Sequence, residues 1–152
     1  MYTSSSLSAL GQCINERLNV SEDEDQLVNF ILLLADRITQ IPGSKGIIKN
    51  LEQGKVVLCD RFYHSLIVYQ GDFTPDYFLN SSNYLVKDLV DFDLLFYLDV
   101  SPEIAYSRIC KRGEVIEREE EIDKLIEKRQ KYLRVLSEES DKEKIRVIWW
   151  KS

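Results

Sequence analysis

Two aspartates follow short apolar runs, and an arginine stands beside one of them. Asp60 and Arg61 come directly after residues 56–59, and Asp99 comes directly after residues 94–98. Both runs are continuously apolar, which predicts parallel strands buried on both faces. The carboxyl ends of such strands form the edge where α/β proteins bind ligands, so we expect Asp60 and Asp99 to share that edge. A guanidinium placed there could bind an oxyanion through two N–H groups.

The elements that must position these residues alternate between helices and strands. Apolar residues at helical spacing predict helices over residues 4–19, 21–41, 47–54, 65–70, 82–89, 102–111 and 119–136. Ser101 and Pro102 supply a cap and a first-turn proline for one of these helices. A last strand is predicted at residues 145–150. The chain between the two apolar runs is long enough for a right-handed crossover, so we predict an α/β fold in one domain over residues 1–152.

Composition narrows the partners and the compartment. The chain has 152 residues and a net charge of -6, which disfavours nucleic acid because phosphate backbones bind clustered cations. The longest strongly apolar run, which contains residues 31–35, is far shorter than the roughly 20 residues that cross a bilayer. The first four residues also lack a basic signal-peptide start. We therefore expect a cytoplasmic protein with no nucleic-acid or membrane partner.

The residues that most often bind metals are few. Cys13, Cys59 and Cys110 are an odd number of widely spaced cysteines, and His64 is the only histidine. This spacing does not suit a metal site, so we predict buried thiols and a His64 that is on the surface or hydrogen-bonded.

Three blocks of the sequence resemble the thymidylate kinase family. Residues 60–71 read Asp-Arg-Phe-Tyr-His-Ser-Leu-Ile-Val-Tyr-Gln-Gly, which resembles the family signature of aspartate, arginine and aromatic, then serine, then aromatic-glutamine-glycine. Residues 98–105 look like the family's fourth strand running into the helix before its lid. Residues 35–40 are similar to its arginine helix. The resemblance covers most of the chain and implies a three-layer, P-loop-kinase-like parallel sheet flanked by helices.

The resemblance implies phosphoryl transfer from ATP to dTMP, giving dTDP for dTTP synthesis, with Mg²⁺ bound together with ATP. It implies that Asp60 helps to hold the metal or its water and that Arg61 binds the acceptor phosphate. Arg37 would reach the thymine edge, and Tyr69 would pack against the deoxyribose. Leu33 or Leu34 stands where an aromatic residue of the family often stacks on thymine, and residues 3–6 stand where relatives usually carry an arginine for the acceptor phosphate. We therefore expect weak thymidylate binding.

The remaining roles also come from the resemblance. Ser65 and Gln70 would lie near the base and the acceptor phosphate. A lid segment would run from about Arg112 to Arg118, and both arginines would face the moving phosphoryl group. The resemblance also implies a homodimer formed through the helices before Gly54.

The sequence departs from the family at the donor site. No Gly-Lys-Ser or Gly-Lys-Thr triplet occurs, although such a loop supplies the backbone N–H groups and the lysine that hold donor phosphates. We therefore expect a truncated fold without the first strand, the P-loop and the final helix, and activity of this chain alone is doubtful. In that fold, residues 56–59 should pair directly with residues 94–98.

Three functions stay open on these grounds. The first is the kinase itself, and the second is a catalytically inactive nucleotide-binding or assembly protein that keeps the fold. The third is a deoxynucleoside kinase, which shares the aspartate, arginine and serine but not usually Tyr69, Gln70 and Gly71. ADP release with dTMP separates the first two, and a comparison of nucleoside with monophosphate acceptors separates the third.

Overall fold

Helices and short parallel strands alternate along the part of the chain that the computed structural model describes, which is residues 2–3, 9–18, 26–43, 45–73, 76–117, 120–138 and 144–149. The strands are β1 (Tyr2–Thr3), β2 (Leu58–Cys59), β3 (Leu95–Asp99) and β4 (Ile145–Trp149). The helices are α1 (Ala9–Leu18), α2 (Gln26–Thr39), α3 (Ile47–Glu52), α4 (Tyr63–Gln70), α5 (Asp76–Leu89), α6 (Pro102–Arg112) and α7 (Ile122–Glu138). The chain divides into two compact units, Met1–Asp91 and Phe92–Ser152.

The strand pairs are parallel, which confirms the α/β class. β1 pairs with β2, and β3 pairs with β4 along its whole length of five residues. The predicted direct pairing of residues 56–59 with residues 94–98 is therefore wrong. Leu58 and Cys59 pair instead with Tyr2 and Thr3, and β3 pairs with β4, so each strand finds its backbone hydrogen-bond partner within its own unit.

The β3–β4 sheet is covered by a helix on one face. Tyr97 stacks on Tyr132 of α7 with ring centroids 5.5 Å apart, and Asp99 on the same face is buried. The opposite face exposes three apolar side chains, Phe96, Leu98 and Ile148. The prediction of strands buried on both faces is wrong for both apolar runs, because Val56 and Leu58 are exposed as well. A continuous apolar run therefore indicated a strand here without indicating how many of its faces are covered.

The predicted helices form within the described ranges, with shifted ends. The helices α4 and α5 begin earlier than predicted, and α7 begins and ends later. The predicted cap of α6 is confirmed, since the Ser101 hydroxyl oxygen accepts a hydrogen bond from the Ile104 N–H at 3.3 Å. Gly113 ends that helix with a φ of 77°. The caps predicted at residues 4–6 and 21–25 lie outside the described residues.

The core of Met1–Asp91 forms where α2 packs against α1 and α4. Phe30 of α2 is buried and meets the Phe78 ring edge-on, with centroids 5.6 Å apart. The chain leaves α2 through a close backbone approach at Gly46, where a Cβ would lie 2.1 Å from the Pro42 carbonyl oxygen and 2.5 Å from that of Ile41. The chain path after α2 therefore requires glycine at position 46.

No helix among the described residues is long and apolar enough to span a bilayer. Two further predictions have an outcome. The prediction of buried thiols is wrong, because Cys13, Cys59 and Cys110 are all exposed. Free cysteine is buried on average, and that average does not say which face of a helix or strand a given thiol occupies. His64 is buried and stacks on Tyr63 with centroids 4.0 Å apart, so it is a packed side chain.

Candidate functional site

A turn at the end of β2 presents the aspartate–arginine pair. Asp60 and Arg61 are both exposed and lie between β2 and α4. Arg61 has a φ of 59°, in the left-handed region that costs a residue with a side chain about 1–2 kcal/mol. Its guanidinium carbon lies 5.2 Å from the centre of the Tyr69 ring, a cation–π contact. The turn therefore holds the Arg61 cation against α4.

A buried arginine lies beside this turn. Arg37, in the last turn of α2, is only 5% exposed, and its guanidinium carbon lies 5.6 Å from the centre of the Phe62 ring. Burial lowers the pKa of Arg37, and the nearby Cys59, Asp36 and Asp60 partly oppose that shift. The structure therefore brings the arginine of α2 to the carboxyl end of β2.

The charges around Arg37 come from carboxylates. Although Cys59 is exposed, surrounding protein atoms desolvate its thiol and raise the pKa of Cys59 more than the Arg37 cation lowers it. Cys59 is therefore a neutral thiol at pH 7. At that pH the carboxylates of Asp36 and Asp60 supply the negative charge that favours the Arg37 cation.

Asp36 fixes the end of α2. Its carboxylate accepts a hydrogen bond from Gln40 Nε2 at 2.8 Å, and its backbone oxygen accepts one from the Thr39 hydroxyl at 2.8 Å. Sequence reasoning missed both Asp36 and Phe62 as neighbours of Arg37. The four-residue spacing of Asp36 and Gln40 could have predicted their hydrogen bond at the end of α2. No feature of the sequence indicated that Phe62 lies beside Arg37.

The other predicted acceptor residues lie on the same two helices. Leu33 precedes Arg37 by one turn of α2. On α4, Ser65 precedes Tyr69 by one turn, and Gln70 directly follows Tyr69. The two helices pack together, which brings these side chains into one part of Met1–Asp91. Arg37 and Gln70 have other contacts, yet Arg37 Nη1 and Gln70 Oε1 are buried atoms that make no hydrogen bond within the described part. The roles of these residues stay predictions.

In Phe92–Ser152, a buried arginine–carboxylate pair joins β3 to α7. Asp99 is 1% exposed and accepts from Arg129 Nε at 2.7 Å and from Arg129 Nη2 at 2.8 Å. This contact raises the pKa of Arg129 above its ordinary value. A buried carboxylate needs a cation, but nothing in the sequence singled out Arg129, 30 residues away, among the cations of α7. Asp60 lies in the other unit, so the shared edge stays a prediction.

A second arginine–carboxylate pair lies at the end of α6. Arg112 donates from Nη1 to Glu120 Oε1 at 3.0 Å and from Nη2 to Glu120 Oε2 at 2.9 Å. Its Nε lies 2.7 Å from Glu114 Oε2. The Arg112 hydrogen bonds lower the pKa of Glu120, with a further contribution from the backbone of Glu117. The predicted lid cation Arg112 therefore contacts two carboxylates that follow it in the sequence, Glu114 and Glu120. Arg118 lies outside the described residues.

Parallel strands and helices with arginines at a strand end and a helix end are typical of anion-binding α/β proteins. The thymidylate kinase family model matches residues 4–148. A thymidylate kinase of Leptospira borgpetersenii is 39% identical over 98 residues, which are 63% of this chain and 47% of that protein. A thymidylate kinase of Ligilactobacillus salivarius is 38% identical over 108 residues, which are 67% of this chain and 50% of that protein. A probable thymidylate kinase of Methanosarcina acetivorans is 38% identical over 100 residues, which are 62% of this chain and 47% of that protein.

The chain belongs to the thymidylate kinase family. It spans about half the length of the curated relatives it matches.

Proposed function

We propose that this chain binds dTMP through Met1–Asp91 and takes part in transfer of the terminal phosphoryl group of ATP to dTMP, giving dTDP. The observation that carries the proposal is the cluster at the end of β2. There the buried Arg37 lies beside Asp60, and Arg61 is held against Tyr69. Family membership supports the reaction class.

The proposed acceptor contacts follow from the chemistry of these side chains. The exposed guanidinium of Arg61 suits a phosphate, since its planar fork matches phosphate oxygens with two N–H groups. Arg37 is desolvated, and a hydrogen bond from a desolvated cation to a thymine carbonyl is stronger than one formed in water. Leu33 would contact the base, and the Tyr69 ring would pack on the deoxyribose and disfavour a 2′-hydroxyl.

The remaining predicted residues have supporting roles in this proposal. The Ser65 hydroxyl would hydrogen-bond to the acceptor phosphate, and the Gln70 amide would lie near the base. Arg112 and Arg118 would neutralise charge on the phosphoryl group during transfer, a contribution that in related enzymes reaches about 10³ to 10⁵ in rate.

Mg²⁺ enters the proposal together with ATP. Bound magnesium keeps several waters and phosphate oxygens and uses few protein carboxylates. Asp60 offers one exposed carboxylate at the end of β2, which suits a metal-bound water. Within the described ranges no cluster of three or more His, Cys, Asp or Glu side chains could hold a metal. The ion would supply charge neutralisation between the donor phosphates.

The assembly and location belong to the same proposal. The helix α2, which precedes Gly54, exposes three apolar side chains, Leu27, Val28 and Ile31. Such a stripe suits a two-fold contact between copies of the chain, as in a homodimer. The three free thiols match a reducing compartment, which favours the cytoplasm. The net charge of -6 argues against nucleic acid as a partner.

A binding comparison and an assay test the proposal together. The chain is titrated with dTMP and with thymidine, which lacks the phosphate, and is then assayed for ADP release with ATP and Mg²⁺. We expect Arg61→Gln to weaken dTMP binding about 10- to 100-fold and to leave thymidine binding unchanged, because a phosphate contact is lost. The matched control is Arg134→Gln, which removes a cation from an exposed pair on α7.

The outcomes separate the candidate functions. Unchanged dTMP binding in Arg61→Gln would contradict the proposed acceptor site. Binding of dTMP without ADP release would favour the nucleotide-binding or assembly function. Phosphorylation of thymidine but not of dTMP would favour a deoxynucleoside kinase.

A further inference from the structure

The guanidinium of Arg112 is occupied on all three of its nitrogens. Glu120 takes the two terminal nitrogens with its two carboxylate oxygens, and Glu114 Oε2 lies 2.7 Å from Nε. A phosphate would use the same planar array of N–H groups, because guanidinium binds carboxylate and phosphate with the same two-point geometry. An oxyanion and Glu120 therefore cannot hold these N–H groups at the same time.

The Arg112 contact is open to exchange. The Arg112 side chain is 40% exposed and the Glu120 side chain 21% exposed. Exposed ion pairs of this kind are weak in water, since solvent screens both charges. A multiply charged anion attracts a guanidinium more strongly than a single carboxylate does. A polyphosphate can therefore displace Glu120, whereas a monovalent anion gains too little.

Glu120 has a second partner that does not depend on Arg112. Its Oε2 accepts a hydrogen bond from the Glu117 backbone N–H at 3.1 Å. When the guanidinium turns to another anion, this carboxylate keeps a donor and water access. Displacement therefore leaves no buried charge behind.

We propose that Glu120 is a built-in competitor for a polyphosphate at Arg112, so that the anion binds the two terminal nitrogens of Arg112 only by displacing the Glu120 carboxylate. The inference rests on the proposed function, in which Arg112 is a lid cation. Its consequence is selectivity: Glu120 keeps weakly charged anions off Arg112 and sets the affinity for strongly charged ones.

Calorimetric titration of the 152-residue chain with tripolyphosphate tests this inference. We expect Glu120→Gln to tighten binding about 3- to 10-fold, because it removes the competing charge. The double variant Arg112→Gln with Glu120→Gln should show no such gain. Glu138→Gln is the matched control, since Glu138 forms an exposed pair with Arg134 on the same helix and its loss leaves Arg112 unchanged.

The inference is overturned if Glu120→Gln binds tripolyphosphate as the wild type does or more weakly, or if neither protein binds it. Circular dichroism shows whether Glu120→Gln is folded. If it is not, NMR of the wild type decides in its place, because displacement by tripolyphosphate must shift the signal of the Glu120 side-chain carboxyl carbon. An unshifted Glu120 signal in the tripolyphosphate-bound protein would then overturn the inference. Tighter tripolyphosphate binding without dTDP formation would support the inference while the proposed function fails. Formation of dTDP without tighter binding would do the reverse.

Discussion

At the end of β3, Arg129 binds Asp99 through two short hydrogen bonds from Nε and Nη2. At the end of α6, Arg112 also binds Glu120 through two hydrogen bonds, here from Nη1 and Nη2. The pairs differ in their surroundings. The Asp99 carboxylate is almost fully buried, whereas both side chains of the other pair reach solvent. The buried pair joins a strand to a helix 30 residues away, and the exposed pair spans eight residues.

The difference shows that the surroundings of a pair decide its role more than its geometry does. A buried carboxylate that loses its cation has no water to replace it, so the Asp99 pair must persist in the folded state. An exposed carboxylate exchanges one partner for another at little cost. The Asp99–Arg129 pair therefore stabilises the packing of α7 on β3, and the Glu120–Arg112 pair can exchange its carboxylate for another anion.

Breaking the buried pair should have the largest effect on stability. Asp99→Asn keeps the shape but removes the charge, so Arg129 loses a charge-assisted contact. We expect the free energy of unfolding to fall by about 2–3 kcal/mol, in the lower part of the range for buried pairs because Arg129 is about a third exposed. Denaturant unfolding followed by tryptophan fluorescence measures this, since both tryptophans are in Phe92–Ser152. A change in the free energy of unfolding below about 0.5 kcal/mol would show that the pair does not stabilise the packing of α7 on β3.

A milder change separates charge from geometry in the same pair. Arg129→Lys keeps the positive charge but cannot form two parallel hydrogen bonds with the Asp99 carboxylate. We expect a loss of about 1 kcal/mol in the same unfolding experiment, smaller than for Asp99→Asn. Equal losses in the two variants would mean that the fork geometry, rather than the charge, provides the stabilisation.

The exposed pair should contribute little to stability. Glu120→Gln is expected to leave the denaturant midpoint close to that of the wild type, as is the control Glu138→Gln. A drop in the midpoint as large as that of Asp99→Asn would erase the contrast between the two pairs. It would also make Glu120 a structural residue rather than an exchangeable one.

The smallest effect concerns an exposed carboxylate with two cations. Hydrogen bonds from Lys131 and Lys124 lower the pKa of Glu127 to about 2. Because this pKa is lowered, the favourable contact is present above the ordinary value of 4.5 and is lost as pH falls towards about 2. An NMR titration of the Glu127 carboxyl should give a midpoint of about 2, and Lys131→Gln should raise that midpoint. A midpoint near 4.5 in the wild type would contradict these contacts.

Local structure was predictable from the sequence because its causes are local. Helical spacing predicted the helices, and Ser101 with Pro102 predicted the start of α6. The aspartate–arginine signature located the turn after β2. These features depend on neighbours within a few positions.

Long-range structure was not predictable on the same grounds. The partner of each apolar run depends on strands far away in the sequence, and so does the exposure of Phe96 and Leu98. The choice of Arg129 for Asp99 depends on which face of α7 meets the sheet. Glu120 and Glu114 stood among many acidic residues, and composition alone could not show which of them reach Arg112.

The close backbone approach at Gly46 limits how this chain can vary. Its φ of -72° is ordinary for any residue, so the restriction there comes from space alone, because even a methyl group would overlap the Pro42 carbonyl oxygen. Gly43 and Gly54 have positive φ and nothing within 4 Å of an added Cβ, so asparagine is the natural replacement at those positions. In a saturation library, position 46 would accept glycine alone, whereas the other two would accept a short series of residues. Substitutions meant to alter the chain after α2 must therefore be placed at positions other than Gly46.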